Sequence, residues 1–260
     1  MSPLESKYRF AKDLVLEAGA YIRQHLQDDV QVEEKTSPTD LVTTMDKAVQ
    51  DRLVTAILKD YPADTILAEE NGLRTDYRQG NTWIIDSIDG TANFVAQKQD
   101  FAVMVAYFED GVGRFGLIYD VVRDKLYHGG GAFPSLLNDQ PLPLFDDSKS
   151  LQHALIASNA GMYRHNYMGI ADMVDHSLSL RVYGSAGISF SDILAGRLWA
   201  YFSTLYPWDY AAASILGESL GYTVLTMTGE EPDFTTRQQI MMVPKARLAE
   251  LQHYMKKDEQ

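Results

Sequence analysis

Trp83-Ile84-Ile85-Asp86-Ser87-Ile88-Asp89-Gly90-Thr91 reads as a buried strand running into an acidic turn. Three apolar residues lead into Asp86, Asp89 follows three positions later, and Gly90-Thr91 comes directly after it. An apolar run ending on an acid predicts a strand whose tip emerges at a sheet edge. Open α/β sheets place ligands beyond the carboxyl ends of their strands. Two carboxylates held there repel each other unless positive charge lies between them. A hard cation that prefers oxygen ligands, such as Mg²⁺, is the economical candidate.

Upstream of this run, Tyr8, Ala11, Val15, Ala18, Ile22 and Leu26 recur at three- and four-residue steps and predict an amphipathic helix. Residues 30–40 are polar, contain Pro38, and read as a loop or weak hairpin. Met45, Val49, Leu53 and Ile57 mark a second helix, with Thr43 as N-cap and Pro62 as stop. Thr65-Ile66-Leu67-Ala68 is a short strand leading into Glu69-Glu70. Downstream, residues 101–108, 112–119 and 126–127 are apolar and separated by acidic turns, which predicts an antiparallel meander. Pro141, Pro143 and the polar residues 146–150 mark the softest boundary. They suggest lobes of about 1–147 and 148–260 within a single domain spanning 1–260. Beyond it, strands are expected at 155–157, 181–183, 198–202 and 241–243. Helices are expected at 170–178, 186–195, 208–220 and 246–255, with Gly196 and Gly221 as caps.

Composition narrows the function classes. With 260 residues, 45% of them hydrophobic, the chain suffices for one large domain or two lobes sharing a core. The formal charge of −13 repels phosphate backbones, so no nucleic-acid partner is expected. A small phosphorylated molecule fits where metal ions reverse the local potential. The absence of cysteine excludes disulfides, thiolate zinc sites, iron–sulfur ligation and thiol catalysis. Residues 1–10 show no signal peptide, and no apolar run approaches the roughly 20 residues of a membrane span. A cytoplasmic protein without a membrane partner is the expectation.

Four acids stand at predicted element ends: Glu69, Asp86, Asp89 and Asp209, the last directly after Trp208. Gathered in one cleft, they could hold two Mg²⁺ ions about 3.5–4 Å apart that clamp a phosphate ester and generate hydroxide from water. Each acid taken singly also has a structural reading. Asp-Gly is a common turn pair, and Asp209 could serve a helix start. Gly90 allows close backbone approach to a ligand. A helical turn beginning at Thr91 would offer free N–H groups to an oxyanion, and Thr91 could equally be a plain N-cap.

The segment from Trp83 to Phe94 resembles the signature W-x-I-D-P-x-D-G-T-x-N-F of the inositol monophosphatase family. Trp208-Asp209-Tyr210-Ala211-Ala212 is similar to its second signature, W-D-x-A-A. Leu67-Ala68-Glu69-Glu70 and the stretch from Lys35 to Asp46 match its flanking acidic and K-x-x-x-D-L-V-T-x-x-D motifs. Order and spacing agree over about residues 5–245. The resemblance implies an α/β (α+β) layered αβαβα sandwich of the inositol monophosphatase and fructose-1,6-bisphosphatase type. It implies a phosphoric monoester hydrolase using two or three Mg²⁺ ions. Carried over residue by residue, Glu69, Asp86, Asp89 and Asp209 become metal ligands, joined by the backbone carbonyl of Ile88. Thr91 pairs with Asp46 to orient the attacking water, with Glu69 also in the catalytic set. The Gly90 and Thr91 amides hold the phosphate, and Asp89 and Asp209 also face the substrate. Lys35 lies near the outer metal-binding loop. Family members are often lithium-inhibited and usually dimeric, so a homodimer is expected.

Two positions depart from the pattern. Ser87 stands where proline is usual, which leaves the loop's φ angle freer and could weaken metal affinity. Phe202 stands seven residues before Asp209, where inositol-specific members tend to carry glutamate. A phenyl ring cannot accept a hydrogen bond from a sugar hydroxyl, so Phe202 either stacks on a flatter group or fills the core. Gly184-Ser185-Ala186 resembles the family's pocket-lining G-S-A segment. The expected substrate is a small phosphate monoester, most simply inositol 1-phosphate. NADP, 3′-phosphoadenosine 5′-phosphate or a sugar bisphosphate is the alternative prompted by Phe202, and a non-catalytic binding role is the alternative prompted by Ser87.

Other motifs fail. Gly111-Val112-Gly113-Arg114-Phe115-Gly116 is a literal G-x-G-x-x-G, yet a strand follows it where a dinucleotide site needs a helix. Gly129-Gly130-Gly131 reads as a loop at a strand end. Tyr183-Gly184-Ser185-Ala186-Gly187 lacks the first glycine of a serine-hydrolase elbow.

Overall fold

The computed structural model describes residues 1–34 and 41–255. Lys35 and the motif residues up to Asp40 lie outside that range. Helix α1 (Pro3–Gln24) opens with a Ser2/Glu5 capping box, and α2 (Thr44–Asp60) opens with a Thr43/Asp46 box. Between them β1 (Val32–Glu34) pairs antiparallel with β2 (Leu41–Thr43). The large sheet follows in chain order: β3 (Thr65–Ala68), β4 (Asn81–Asp89), β5 (Ala102–Glu109), β6 (Val112–Asp120), β7 (Lys125–Gly130), β8 (Phe133–Leu137) and β9 (Gln140–Pro141). Only β3 and β4 are parallel; the rest is an antiparallel meander. A short helix α3 (Thr91–Gln97) leaves the end of β4.

The second half holds β10 (Leu155–Ser158), α4 (Ala160–Arg164), α5 (Ile170–Asp175), β11 (Ser179–Arg181), α6 (Ala186–Leu194), β12 (Ala200–Leu205), α7 (Pro207–Glu218), β13 (Tyr222–Thr226), β14 (Gln238–Pro244) and α8 (Leu248–Tyr254). Its strands form a five-stranded sheet in the order β11-β10-β12-β14-β13.

Side-chain parity builds five layers. Val103, Val105 and Tyr107 of β5 join Trp83, Ile85 and Phe115 against Val15, Ile22, Val49 and Leu53 of α1 and α2. The alternate residues Met104, Ala106 and Phe108 face α6 and α7 together with Ile84 and Ile118. Strand β5 is buried on both faces, which explains its unbroken apolar run. Beyond α6 and α7, the same core takes in Tyr201, Leu205, Val224 and Met242 from one face of the smaller sheet. The other face, with Ile156, Phe202 and Met241, packs on Met162, Ile170, Met173 and Leu251 of α4, α5 and α8. The layer order is therefore αβαβα, as the resemblance implied.

Local expectations are corrected at several points. Strand β4 is an interior strand and continues through Asp89, with an irregular register between Asp86 and Asp89. The strand expected at 181–183 ends at Arg181, because the preceding helix stops at Asp175, earlier than its apolar pattern suggests. Gly129 and Gly130 belong to β7, where Gly129 lets the chain pack closely against Pro134 of β8 and Gly130 against Ile215 of α7. Strand β13, directly after Gly221, was masked by the helix pattern it follows without a polar spacer.

Candidate active site

Four elements converge where β4 ends. Strand β4 brings Asp86 and Asp89, the end of β3 brings Glu69, the first turn of α2 brings Asp46, and the first turn of α7 brings Asp209. One carboxylate oxygen from each of Asp86, Asp89 and Asp209 lies within 4.8 Å of the others. A cleft of about 170 Å³ opens beside them, lined by Glu69, Asp86, Ile88, Asp89, Thr91 and Asp209 together with Leu41, Gly90, Ala92 and Gly184.

Each acid is held differently. Asp46 Oδ2 accepts the Thr43 amide at 2.8 Å within the capping box, and its Oδ1 accepts the Thr91 hydroxyl at 2.8 Å. Thr91 Oγ1 also lies 3.1 Å from the Ile88 carbonyl oxygen. Asp86 Oδ1 accepts the Ile88 amide at 3.1 Å. Asp89 caps α6: it accepts the Ala186 amide at 3.0 Å, the Gly187 amide at 2.7 Å and the Ser185 hydroxyl. A Cβ on Gly187 would lie 3.1 Å from Asp89 Oδ2 and 2.7 Å from the Ala102 methyl, so glycine is what lets this amide reach the acid. Asp209 Oδ2 accepts the Tyr206 amide at 2.8 Å.

The electrostatics follow from burial without balance. Among the described residues no lysine or arginine forms an ion pair with Asp86, Asp89 or Asp209. Burial pushes the Asp86 carboxyl well above the usual carboxylate range, and Glu69, Asp89, Asp209 and Asp46 push it further. Burial likewise raises Asp209 well above that range, reinforced by Asp89 and Glu69 and opposed by the Tyr206 amide and Arg237. Asp89 is raised by burial, with its three donors from Ser185, Gly187 and Ala186 opposing the shift. Asp46 is raised by burial against its bonds from Thr43 and Thr91. Carboxylates, a hydroxyl and a carbonyl are all hard oxygen donors, and Asp86, Asp89 and Asp209 have no ion-pair partner among the described residues. That donor set fits Mg²⁺.

The other expected residues separate into two groups. Gly90 lines the cleft at φ +89°, a conformation that glycine adopts without the Cβ penalty, and Gly184 lines it beside Asn93. Ser185 and Ala186 are buried and direct their polar groups to Asp89, behind the cleft. Phe202 does not line the cleft: it is fully buried on the outer face of β12, in the core with Met162 and Met241. Strand parity explains this, since its neighbour Tyr201 faces the α6–α7 side. Ser87 is fully buried and its hydroxyl has no partner among the described residues. Ser87 lies within β4, at its irregular stretch between Asp86 and Asp89, so the chain here is strand and not the loop expected from the sequence.

Two residues escaped the sequence reading. Asn93 donates to the backbone carbonyls of Asp100 and Tyr183, both at 2.8 Å, and ties α3 to the segment carrying Gly184. Its place in the first signature was the available signal. Tyr201 is buried near Asp89 and Asp209, and burial raises its phenol; no motif marks it.

The family model described as the inositol monophosphatase family matches residues 4–257. An inositol-1-monophosphatase of Bacillus subtilis (strain 168) is 37% identical over 237 residues, covering 89% of either chain. Among solved structures, SaIMPase-II bound to 2′-AMP has a TM-score of 0.86 at 31% identity, covering 96% of this chain and 94% of that one. An IMPase/NADP phosphatase complexed with Mg²⁺ and phosphate has a TM-score of 0.88 at 26% identity, covering 97% and 96%.

Proposed function

This chain belongs to the inositol monophosphatase family, whose members are Mg²⁺-dependent phosphoric monoester hydrolases, and on that premise we propose that its substrate is a small phosphorylated polyol, most simply inositol 1-phosphate. The observation that carries the reading is the convergence of Asp86, Asp89 and Asp209 within 4.8 Å beside the Asp46–Thr91 hydrogen bond. Glu69, Asp86, Asp89, Asp209 and the Ile88 carbonyl would hold two or three Mg²⁺ ions. Bound there, Mg²⁺ supplies charge neutralisation for the phosphate and acidity for a coordinated water.

The protein's own groups supply orientation. Thr91 Oγ1 donates to Asp46 and so turns a lone pair outward, toward a water hydrogen. A hydroxyl alone is too weak a base to take a proton, and the Asp46 carboxylate behind it provides the acceptor. The amides of Gly90 and Thr91 would receive phosphate oxygens and Gly184 would leave room for the alcohol portion, a reading supported by all three lining the cleft. Phe202, as a core residue, no longer argues for a nucleotide.

The chain is further proposed to act as one domain, supported by the core shared between both sheets. Homodimerisation is proposed on family grounds and is tested by light scattering. Among the described residues no helix is long and apolar enough to cross a membrane. The functional test is phosphate release with Mg²⁺ from inositol 1-phosphate, a sugar bisphosphate, NADP and 3′-phosphoadenosine 5′-phosphate. Release from inositol 1-phosphate that stops in EDTA supports the reading; no release from inositol 1-phosphate, or full release in EDTA, overturns it.

A further inference from the structure

Next to Asp209, outside the residues that line the acidic cleft, lies a cluster that the metal chemistry does not use. Tyr206 and Trp208 flank Pro207 at the start of α7, and their rings stack with centroids 4.7 Å apart and planes 11° from parallel. A guanidinium lies over each ring: Arg237 is 5.3 Å from the Tyr206 centroid and Arg74 is 4.7 Å from that of Trp208. Trp208 is buried, whereas Tyr206 is 38% exposed and both arginines are exposed.

This cluster is fastened to the acids. Asp209 follows Trp208 in the chain and accepts the Tyr206 amide at 2.8 Å. Arg74 donates to the carbonyl of Ala68, the residue before Glu69, at 2.6 Å.

Several arginines of this acidic chain are held by carboxylates. Arg78, Arg114, Arg123, Arg197 and Arg247 all pair with aspartate or glutamate. Arg74 and Arg237 form no ion pair among the described residues, and Arg237 has no hydrogen bond there either. Arg74 Nη1 also donates to the carbonyls of Ala68 and Leu73, so Arg237 offers the more open planar fork, and that fork matches the oxygens of a phosphate. A polyol monophosphate presents nothing anionic beyond the phosphate that belongs at the acids. A second phosphate on the same molecule would meet these arginines.

We propose that Tyr206, Trp208, Arg237 and Arg74 form a distal anion subsite that selects phosphate monoesters carrying a second phosphate, whether on a sugar or on a nucleotide. The proposal rests on the phosphatase reading above and extends its substrates from inositol 1-phosphate to monoesters that carry a second phosphate. The two guanidiniums bind and orient the non-reacting phosphate, so their contribution enters through KM more than through kcat.

The test compares wild type, Arg237→Gln and Arg237→Lys on inositol 1-phosphate, fructose 1,6-bisphosphate and NADP with Mg²⁺. In Arg237→Gln, kcat/KM for each bisphosphorylated substrate, taken relative to inositol 1-phosphate, should fall about tenfold, the scale of one lost charge-assisted contact. That fall should lie in KM and be partly restored by Arg237→Lys. Tyr206→Leu separates the two sources: a larger loss for NADP assigns the ring to a base, and equal losses assign the phosphate alone. Calorimetric binding of the same ligands reads the subsite even without turnover. No phosphate release from any substrate would remove the phosphatase reading. Equal discrimination and equal binding by wild type and Arg237→Gln would remove the subsite.

Discussion

A step of three positions along β4, from Trp83 to Asp86, separates two clusters of buried charge built on opposite terms. At Trp83 the indole donates to Asp64 Oδ2 at 2.9 Å, Lys7 Nζ reaches the same oxygen at 2.5 Å, and Asn81 donates to Oδ1 at 3.0 Å. Lys7 also donates to the Tyr107 hydroxyl at 2.6 Å and faces the rings of Tyr61 and Tyr107. Every charge there has its counterpart inside the protein. At Asp86 the chain gathers acids, and among the described residues Asp86, Asp89 and Asp209 have no ion-pair partner. Burial is common to both, so burial does not distinguish structure from function; charge balance does. The first cluster is complete as folded, and the second is completed by a ligand.

The largest way to break this contrast is at the unbalanced cluster. Asp86→Asn or Asp209→Asn should lower kcat/KM by roughly 10²–10³-fold or more, the scale of deleting a group that stabilises transition-state charge. In EDTA the same substitutions should leave the thermal midpoint at or above that of wild type, because they relieve repulsion. A clear loss of stability in EDTA would show that these acids are structural.

The balanced cluster should respond in the opposite sense. Lys7→Met strands the Asp64 charge and should cost about 3–5 kcal/mol in urea unfolding, with turnover per folded molecule near that of wild type. Loss of turnover without loss of stability would erase the distinction.

A smaller effect is expected at Thr91. Thr91→Val should lower kcat by about 10²-fold, the scale of a positioned proton acceptor, and Thr91→Ser should recover most of it. Equal rates for Val and Ser would remove the Thr91–Asp46 pair from the mechanism.

The smallest effect is a pH dependence of stability. Asp86, Asp89 and Asp209 are raised in the folded state. A raised acid contributes stability below its unfolded pKa, about 3.9, and loses it as pH rises through the folded value. Metal-free protein should therefore gain stability on acidification from neutrality into that window, and Asp86→Asn should flatten the gain. Mg²⁺ should oppose the trend, adding about 2.7 kcal/mol at a hundredfold excess over its Kd. A wild-type profile in EDTA that matches Asp86→Asn would contradict the account.

Much of the site was legible because its parts are local. Asp86, Asp89, Gly90 and Thr91 share one strand end and the turn after it, and Thr43 with Asp46 forms a capping box that doubles as the anchor for Thr91. The rest depended on parity and on partners far apart in sequence. Phe202 sits seven residues before Asp209, yet a one-residue step along β12 decides between the core and the α6–α7 side, and counting along the chain does not reveal which. The Ser185 hydroxyl reads as a pocket group until Asp89, 96 residues away, is seen to take it. The meander was readable from its turns, whereas β13 was hidden by the helix before it. Arg74 and Arg237 carried no signal at all, since each is brought to its ring only by the fold.

The central claim is that the acids at the end of β4 complete themselves with Mg²⁺ to hydrolyse a phosphate monoester. Its most direct test is phosphate release by metal-free protein as Mg²⁺ is added back, comparing wild type with Asp86→Asn. The account predicts no release in EDTA, saturable recovery in wild type and no recovery in the variant. Undiminished release in EDTA, or a variant that recovers like wild type, would contradict it.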